Sequence, residues 1–226
     1  MPSTPIPSAD GGSRPPDPAG YRGQVSAEDV ATEPVAGGVA VLGLGNVLVG
    51  DDGAGVAAVA ELVRRYVVPP EVSVLDGGVL GLHLLGLLED TRHVLVLDTV
   101  RTGREPGALV RLEGERLRAA FSSRMSVHEL GFTEVLAAAE LRGRRPAHLV
   151  VLGIEPQQVE QGIGLSAPVA GAVGPLADAA AAELSSWGVP VTVRADPPEA
   201  LPYPQGVLGL GGGGRDTAAG GREAGA

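Results

Sequence analysis

The chain has 226 residues, a formal net charge of −10 at pH 7 and no cysteine, which excludes a disulfide framework, a thiolate metal site and a cysteine nucleophile. All 17 basic residues are arginine, so a lysine-dependent phosphate loop and Schiff-base chemistry are excluded too. The acidic balance argues against nucleic acid as a partner, and no apolar run approaches the ~20 residues of a membrane helix. The first ten residues lack the basic start and apolar core of a signal peptide, so we expect a cytoplasmic protein.

Composition divides the chain into three parts. Residues 1–37 are rich in Pro, Gly, Ser and acids and show no apolar period, so they cannot bury enough apolar surface to offset their ordering entropy. Residues 196–226 have a similar linker-like composition. We therefore predict two disordered extensions around one folded domain at residues 38–195.

Strand and helix patterns alternate through the predicted domain, as a mostly parallel sheet requires. The first half of the domain has a strand at 39–42, a helix with apolar positions from Val56 to Val67, a strand at 72–75, a helix at 80–88, a strand at 93–97 and a further strand at 108–112, for which an antiparallel direction is an alternative. The second half has an irregular piece around Phe121, a helix from about 126 to 141, a strand at 148–152, a long loop at 153–167, a helix from 169 to 187 and a short strand at 191–193 as a candidate to close the sheet. The predicted fold is an α/β three-layer sandwich, with a mostly parallel twisted sheet and helices on both faces.

A glycine-rich turn between the first strand and helix carries two adjacent acids, Asp51 and Asp52. Gly43 and Gly45 supply two glycines of a dinucleotide-binding fingerprint, but Leu48 occupies the third position, where a side chain obstructs helix–strand packing. The two carboxylates would also repel a pyrophosphate at the helix start. An N-cap role is an alternative for Asp52, and it would explain only one of the two acids.

Three polar side chains are predicted to meet at the carboxyl edge of the sheet. Asp52 follows the first strand, Asp98 ends the third, and His128 lies where a loop becomes a helix. Two carboxylates and an imidazole leave open positions on a divalent metal, and Zn, Mn, Fe and Ni all suit this set. A structural alternative stays open for His128, because Ser126 and Glu129 form a capping box that would leave the histidine exposed.

Other chemistry has less support in the sequence. Asp76, followed by two glycines, is a turn acid at the same predicted edge and a candidate to hydrogen-bond the metal ligands. No G-x-S-x-G elbow is present, because Ser166 stands in GLSAP with a proline two residues later. The sequence contains no helical His-x-x-x-His pair, which would indicate a resident zinc hydrolase.

Five segments, taken in order, resemble the hydrogenase maturation proteases, which trim the large subunit of nickel–iron hydrogenases. They are GLGNVLVGDDGAG at 43–55, LDGGVLGLHLLG at 75–86, VLVLDTV at 94–100, MSVHELG at 125–131 and VLGIEPQQVEQGIGLS at 151–166. The resemblance covers residues 39–190 and implies a twisted, largely parallel sheet flanked by helices. It also implies an endopeptidase with no conventional serine, cysteine or resident zinc mechanism.

The resemblance implies a substrate and a set of site residues. Family members bind nickel through two carboxylates and a histidine, which fall here on Asp52, Asp98 and His128. The first is often Glu in relatives, so Asp52 is one methylene shorter. The nickel is expected to arrive with the large-subunit precursor, from which a short C-terminal peptide is removed. The protein is expected to be a monomer, and the alternatives are a nucleotide-binding module or a non-catalytic maturation chaperone of the same fold.

Overall fold

The computed structural model describes residues 38–78, 84–123 and 127–199. The side chains of residue 118 and of residues 120–123 and 127–130 lie outside this description. The terminal segments 1–37 and 200–226 also lie outside it, so the predicted domain boundaries stay predictions. Within the described ranges, no helix is long and apolar enough to cross a bilayer.

The described residues form seven strands and five α-helices. In chain order they are β1 Val39–Leu44, α1 Ala54–Arg65, β2 Tyr66–Val67, β3 Val72–Gly78, α2 Leu85–Asp90, β4 His93–Thr99, β5 Leu109–Glu113, α3 Gly114–Ser123, α4 Val127–Leu141, β6 His148–Ile154, α5 Ala167–Ser186 and β7 Thr192–Val193. A 3-10 turn, Gly50–Gly53, precedes α1.

The main sheet has five strands in the order β3-β1-β4-β6-β5. The first four are mutually parallel, and β5 pairs antiparallel with β6 at the edge. Because β1 and β4 are parallel neighbours with Gly43 opposite Leu97, their carboxyl ends meet at one edge, where α/β sheets place their ligands.

Alternate residues of the central strands enter two hydrophobic cores. In β1, Val39 and Val41 pack with α1 and α5, whereas Leu42 and Leu44 pack with α2, α3 and α4 on the opposite face. This alternation follows from the two-residue period of a strand. Helices on both faces of a mostly parallel sheet confirm the predicted α/β sandwich.

Close packing of α1 on the sheet depends on Gly55. A Cβ atom there would overlap the carbonyl oxygens of Leu44 and Leu97. The glycine that permits this approach therefore lies inside the helix, and Leu48 at the third fingerprint position is 59% exposed on the turn instead. The turn is thus not built as a dinucleotide fingerprint.

The predicted end of the first helix and the predicted partner of the last strand were wrong. The apolar pattern extended the first helix to Val67, but α1 ends at Arg65, and Tyr66–Val67 pairs antiparallel with β7. Residues 191–193 therefore do not close the main sheet, because Thr192–Val193 belongs to this separate two-stranded ribbon. Pro69 and Pro70 follow closely and would have broken a continuing helix.

The segment around Phe121 was predicted to be irregular but lies in helix α3. Leu117 from this helix is buried against the sheet, and this packing stabilises a helix too short to persist alone. Helix α2 ends at Asp90, two residues later than predicted, while residues 80–83 of the predicted helix lie outside the described residues.

Candidate active site at the carboxyl edge of the sheet

Asp52 lies in the 3-10 turn and is 6% exposed. Its Oδ2 accepts a hydrogen bond of 2.9 Å from the backbone N–H of Asn46, whose side-chain Oδ1 in turn accepts one of 3.0 Å from Leu48 N–H. The N-cap of α1 is Gly53, with no side-chain capping bond, so the N-cap alternative for Asp52 is wrong. The carboxylate is held toward the start of the glycine turn.

Asp51, the preceding residue, has a different environment. It is fully buried, and its Oδ1 accepts from Ser166 N–H at 2.6 Å. Its Oδ2 accepts from the N–H groups of Gln157 and Gln158 and from the Ser166 hydroxyl, each at 2.9 Å. Asp51 therefore attaches the β6–α5 loop to the glycine turn, a role that the sequence did not indicate.

Asp98 lies in β4 and is 2% exposed. Its Oδ1 accepts a hydrogen bond of 2.6 Å from Thr99 N–H. The Thr99 hydroxyl donates to the backbone carbonyl of Asp51 at 2.7 Å, which joins the end of β4 to the turn that carries Asp52. The structure thus places Asp52 and Asp98 on neighbouring segments of one sheet edge.

His128 lies in the first turn of α4, but its side chain and the whole of Ser126 lie outside the described residues. The ligand role of His128 and the capping-box alternative both stay predictions. Among the side chains that are described, no three His, Asp or Glu residues are grouped closely enough to hold a metal ion. The metal-binding trio stays a prediction.

Asp76 brings a further carboxylate to the same edge. It lies in β3 opposite Gly43 of β1 and is half-buried. Burial raises its pKa, against the opposing effect of a hydrogen bond with the backbone of Gly78. A carboxyl group with a raised pKa can exchange a proton nearer to neutral pH, which suits general acid–base chemistry.

Glu155 follows β6 and organises the loop after β4. It is 5% exposed, and its carboxylate accepts from the N–H and hydroxyl of Thr102, both at 2.7 Å, and from Gly103 N–H at 3.1 Å. Burial alone would raise the pKa of Glu155, but these hydrogen bonds and one from the Arg104 backbone together lower it. An acid directly after an apolar strand was the signal that could have identified Glu155, as it identified Asp98.

The backbone N–H groups of the glycine turn are used within the protein. Gly45 N–H donates to Gly78, Val49 N–H to Asn46 and Gly50 N–H to Gly162. A pyrophosphate site would require such groups to point at the ligand. The turn therefore serves to position side chains, which argues against the nucleotide-binding alternative.

Comparison with known proteins gives one consistent family. The family model for hydrogenase maturation proteases matches residues 56–183, a range that includes Asp98 and His128 and begins after Asp52. A hydrogenase expression/formation protein HupD from Bradyrhizobium diazoefficiens is 43% identical over 161 residues, covering 70% of this chain and 84% of the relative. Hydrogenase 2 maturation protease from Escherichia coli is 35% identical over 157 residues, covering 69% and 96% of the two chains.

The fold is similar to that of a solved member of the same family. The hydrogenase maturating endopeptidase HybD from Escherichia coli superimposes with a TM-score of 0.67 at 34% identity, covering 70% of this chain and 99% of HybD. The sequence matches and the superposition therefore give the same family. The chain belongs to the hydrogenase maturation protease family and is a peptidase.

Proposed function

We propose that this peptidase removes the C-terminal extension of a nickel-loaded nickel–iron hydrogenase large-subunit precursor. The observation that carries the proposal is the pair of buried carboxylates, Asp52 and Asp98, at the carboxyl edge of two parallel strands. Together with His128 they would contact the nickel that the precursor brings. Names of relatives that refer to hydrogenase maturation support the same substrate class.

The orientation of the two carboxylates supports a recognition role. Each accepts a backbone hydrogen bond, Asp52 from Asn46 and Asp98 from Thr99, and such bonds fix the direction of carboxylates that ligate metals. Two negative charges attract a cation, and oxygen and imidazole ligands suit nickel as well as other divalent metals. Nickel would be part of the substrate and would not be held permanently.

In peptide hydrolysis, water adds to the scissile carbonyl and loses a proton to a base. The C–N bond then breaks, and a proton reaches the leaving amine. The metal in the substrate could polarise that carbonyl or activate the water. Asp76 is our candidate for the base, because it lies at the same edge, opposite Gly43 of β1, and burial raises its pKa above that of an ordinary aspartate. An aspartate-dependent mechanism agrees with a chain that has no cysteine. We expect the protein to act as a monomer in the cytoplasm.

The proposal is tested by incubating the protein with a nickel-loaded precursor and measuring the mass of the precursor's C-terminal region. We expect loss of one C-terminal peptide, and no loss from the same precursor prepared without nickel. A non-catalytic chaperone would bind the precursor and leave its mass unchanged. Equal cleavage of both precursors would contradict the role of nickel in recognition.

Two variants separate the ligand role of His128 from the capping alternative. His128→Ala should abolish cleavage and leave the fold intact. Ser126→Ala should reduce stability by ~1 kcal/mol through a lost cap and retain much of the activity. If His128→Ala cleaves normally and Ser126→Ala does not, the assignment of His128 to the site is wrong.

A further inference from the structure

The two adjacent aspartates of the glycine turn differ in what they contact. Asp52 accepts from Asn46 within the turn, whereas Asp51 accepts four hydrogen bonds from the distant Gln157, Gln158 and Ser166. Successive residues of a 3-10 turn project about 120° apart, since three residues complete a turn. The direction in which Asp51 is held therefore restricts the direction that Asp52 can take.

Further bonds attach the same turn to the rest of the sheet edge. Asp51 N–H donates to the carbonyl of Gln158 at 3.3 Å, and Gly50 N–H donates to Gly162 at 2.9 Å. The carbonyl of Asp51 accepts from the Thr99 hydroxyl, one residue after Asp98. Asp51 thus connects the turn that carries Asp52, the end of β4 that carries Asp98, and the β6–α5 loop.

We infer that Asp51 is a positioning residue for the cleavage reaction, which sets Asp52 relative to Asp98 through this three-way connection. The inference rests on the proposed function, in which Asp52 and Asp98 act on the same nickel-loaded precursor. Asp51 itself is fully buried, and both of its carboxylate oxygens are bonded within the protein, so the inferred role is indirect. Its effect is transmitted through the backbone of the turn and of β4.

The chemistry of the contacts requires a carboxylate at position 51. Both oxygens face N–H donors, Oδ1 facing Ser166 and Oδ2 facing Gln157 and Gln158. An amide nitrogen cannot accept a hydrogen bond, so Asp51→Asn in either orientation turns a donor toward a donor. Asp51→Glu would add a methylene group to a side chain that is already fully buried. Neither variant can reproduce the native contacts.

The test measures kcat and KM for cleavage of the nickel-loaded precursor at a temperature where every variant is folded. Asp51→Asn should lower kcat about 10–100-fold, the range seen when partners of metal-contacting groups are removed. Asp51→Glu should not restore it. Ser166→Ala, which removes one of the four bonds and keeps the backbone N–H, should give a smaller loss in the same direction.

Glu183→Gln supplies the matched control. Glu183 is also a buried carboxylate, 4% exposed, and accepts two bonds from Arg111 at 2.9 and 2.7 Å between β5 and α5. Its loss should lower Tm while leaving kcat within about twofold, since the bonds described for its carboxylate join α5 to β5 and not to the glycine turn. Hydrogen exchange at the amides of Gln157, Gln158 and Ser166 should accelerate in Asp51→Asn and stay unchanged in Glu183→Gln.

The outcomes separate this inference from the proposed function. If the unaltered protein cleaves and Asp51→Asn has the same kcat as Glu183→Gln, Asp51 is only a stabilising residue and the inference is overturned. If Asp51→Asn does not fold at any usable temperature, Ser166→Ala takes its place in the test. A kcat of Ser166→Ala equal to that of Glu183→Gln then overturns the inference. If the unaltered protein does not cleave the nickel-loaded precursor, the proposed function is overturned, and the positioning role in that reaction with it.

Discussion

The two ends of the parallel sheet bury polar groups in different ways. At the carboxyl edge, Asp51 and Glu155 each accept several hydrogen bonds from backbone N–H groups of a neighbouring loop. At the amino edge, the rings of His93 and His148 stack at 4.5 Å, with Trp187 at 5.3 Å from His93. The buried Nδ1 of His93 has no hydrogen-bond partner in the part of the chain that the structure describes.

The buried polar groups of the carboxyl edge therefore position loops, whereas those of the amino edge pack against each other. Backbone N–H groups bonded to a carboxylate fix the path of a loop, and the loops at the carboxyl edge surround the candidate site. The stacked rings at the amino edge pack over the starts of β4 and β6, and ring stacking does not fix the path of a loop as bonds to a carboxylate do. We therefore expect substitutions at the carboxyl edge to change activity as well as stability, and those at the amino edge to change stability alone.

The largest effect is expected from Asp98→Asn. The amide keeps an oxygen that can accept from Thr99 N–H, so the fold should persist while the charge that attracts a cation is lost. Cleavage of a nickel-loaded precursor, followed by mass spectrometry, should slow more than about 100-fold, beyond the effect of removing an indirect partner. Asp90→Asn is the control, because this carboxylate is 82% exposed. Equal rates for the two variants would remove Asp98 from the site.

A smaller effect, on stability, is expected from Glu155→Gln. Replacing the charged acceptor weakens its bonds to Thr102 and Gly103, and hydrogen bonds to charged groups contribute about 1.5–3 kcal/mol. Urea unfolding should show a loss of that order, whereas the exposed Glu105→Gln should change it by less than about 0.5 kcal/mol. A loss no greater than that of the control would contradict the organising role of Glu155.

A smaller effect again is expected from pH at the amino edge. Burial lowers the pKa of His93, and His148 and Arg92 lower it further. The unfolded state therefore binds this proton more readily, so the contribution to stability is complete above about pH 6.5 and decreases as the pH falls toward the folded-state pKa. Urea unfolding at about pH 7.5 and about pH 5.5 should show this decrease. His93→Gln should reduce it, and an unchanged pH dependence in that variant would assign the effect to other groups.

The smallest effect is expected from shortening the chain to residues 38–199. Residues 1–37 and 200–226 have compositions that cannot form a core. Arg64 donates to the carbonyl of Pro198 at 3.2 Å, so this boundary keeps a contact that a cut at residue 195 would remove. The melting temperature should stay nearly the same. A loss of several degrees would show that one of the two segments packs on the domain.

The buried strands could be predicted from sequence because both of their faces are covered. Parallel strands between two helical layers are continuous apolar runs, and β1, β4 and β6 have this pattern. Helix α3 was missed because it begins at Gly114, with a φ of +57°, and lacks an N-cap residue of the usual kind. The partner of β7 could not be predicted, since Thr192 pairs with Val67 from a distant part of the chain.

The edge of the sheet that carries the buried acids could be predicted, whereas the contacts of the individual acids could not. An acid after an apolar strand identified Asp98, and the glycine turn identified the Asp51–Asp52 pair. Which of the two bonds the β6–α5 loop depends on Gln157, Gln158 and Ser166, more than a hundred positions along the chain. Neighbouring residues of one type give no local signal that could separate their roles.

The position of β1 in the sheet has a consequence for folding kinetics. The first strand of the described residues lies between β3 and β4, and no two strands of the main sheet are joined by a tight hairpin. Val39 must find both Val72 and His93, and His93 must find His148. Pairings this distant require large loops to close before contacts form, so folding should be slower than in helical proteins of similar size. During synthesis, β1 leaves the ribosome before the other four strands of the main sheet and cannot pair until β3 and β4 are made.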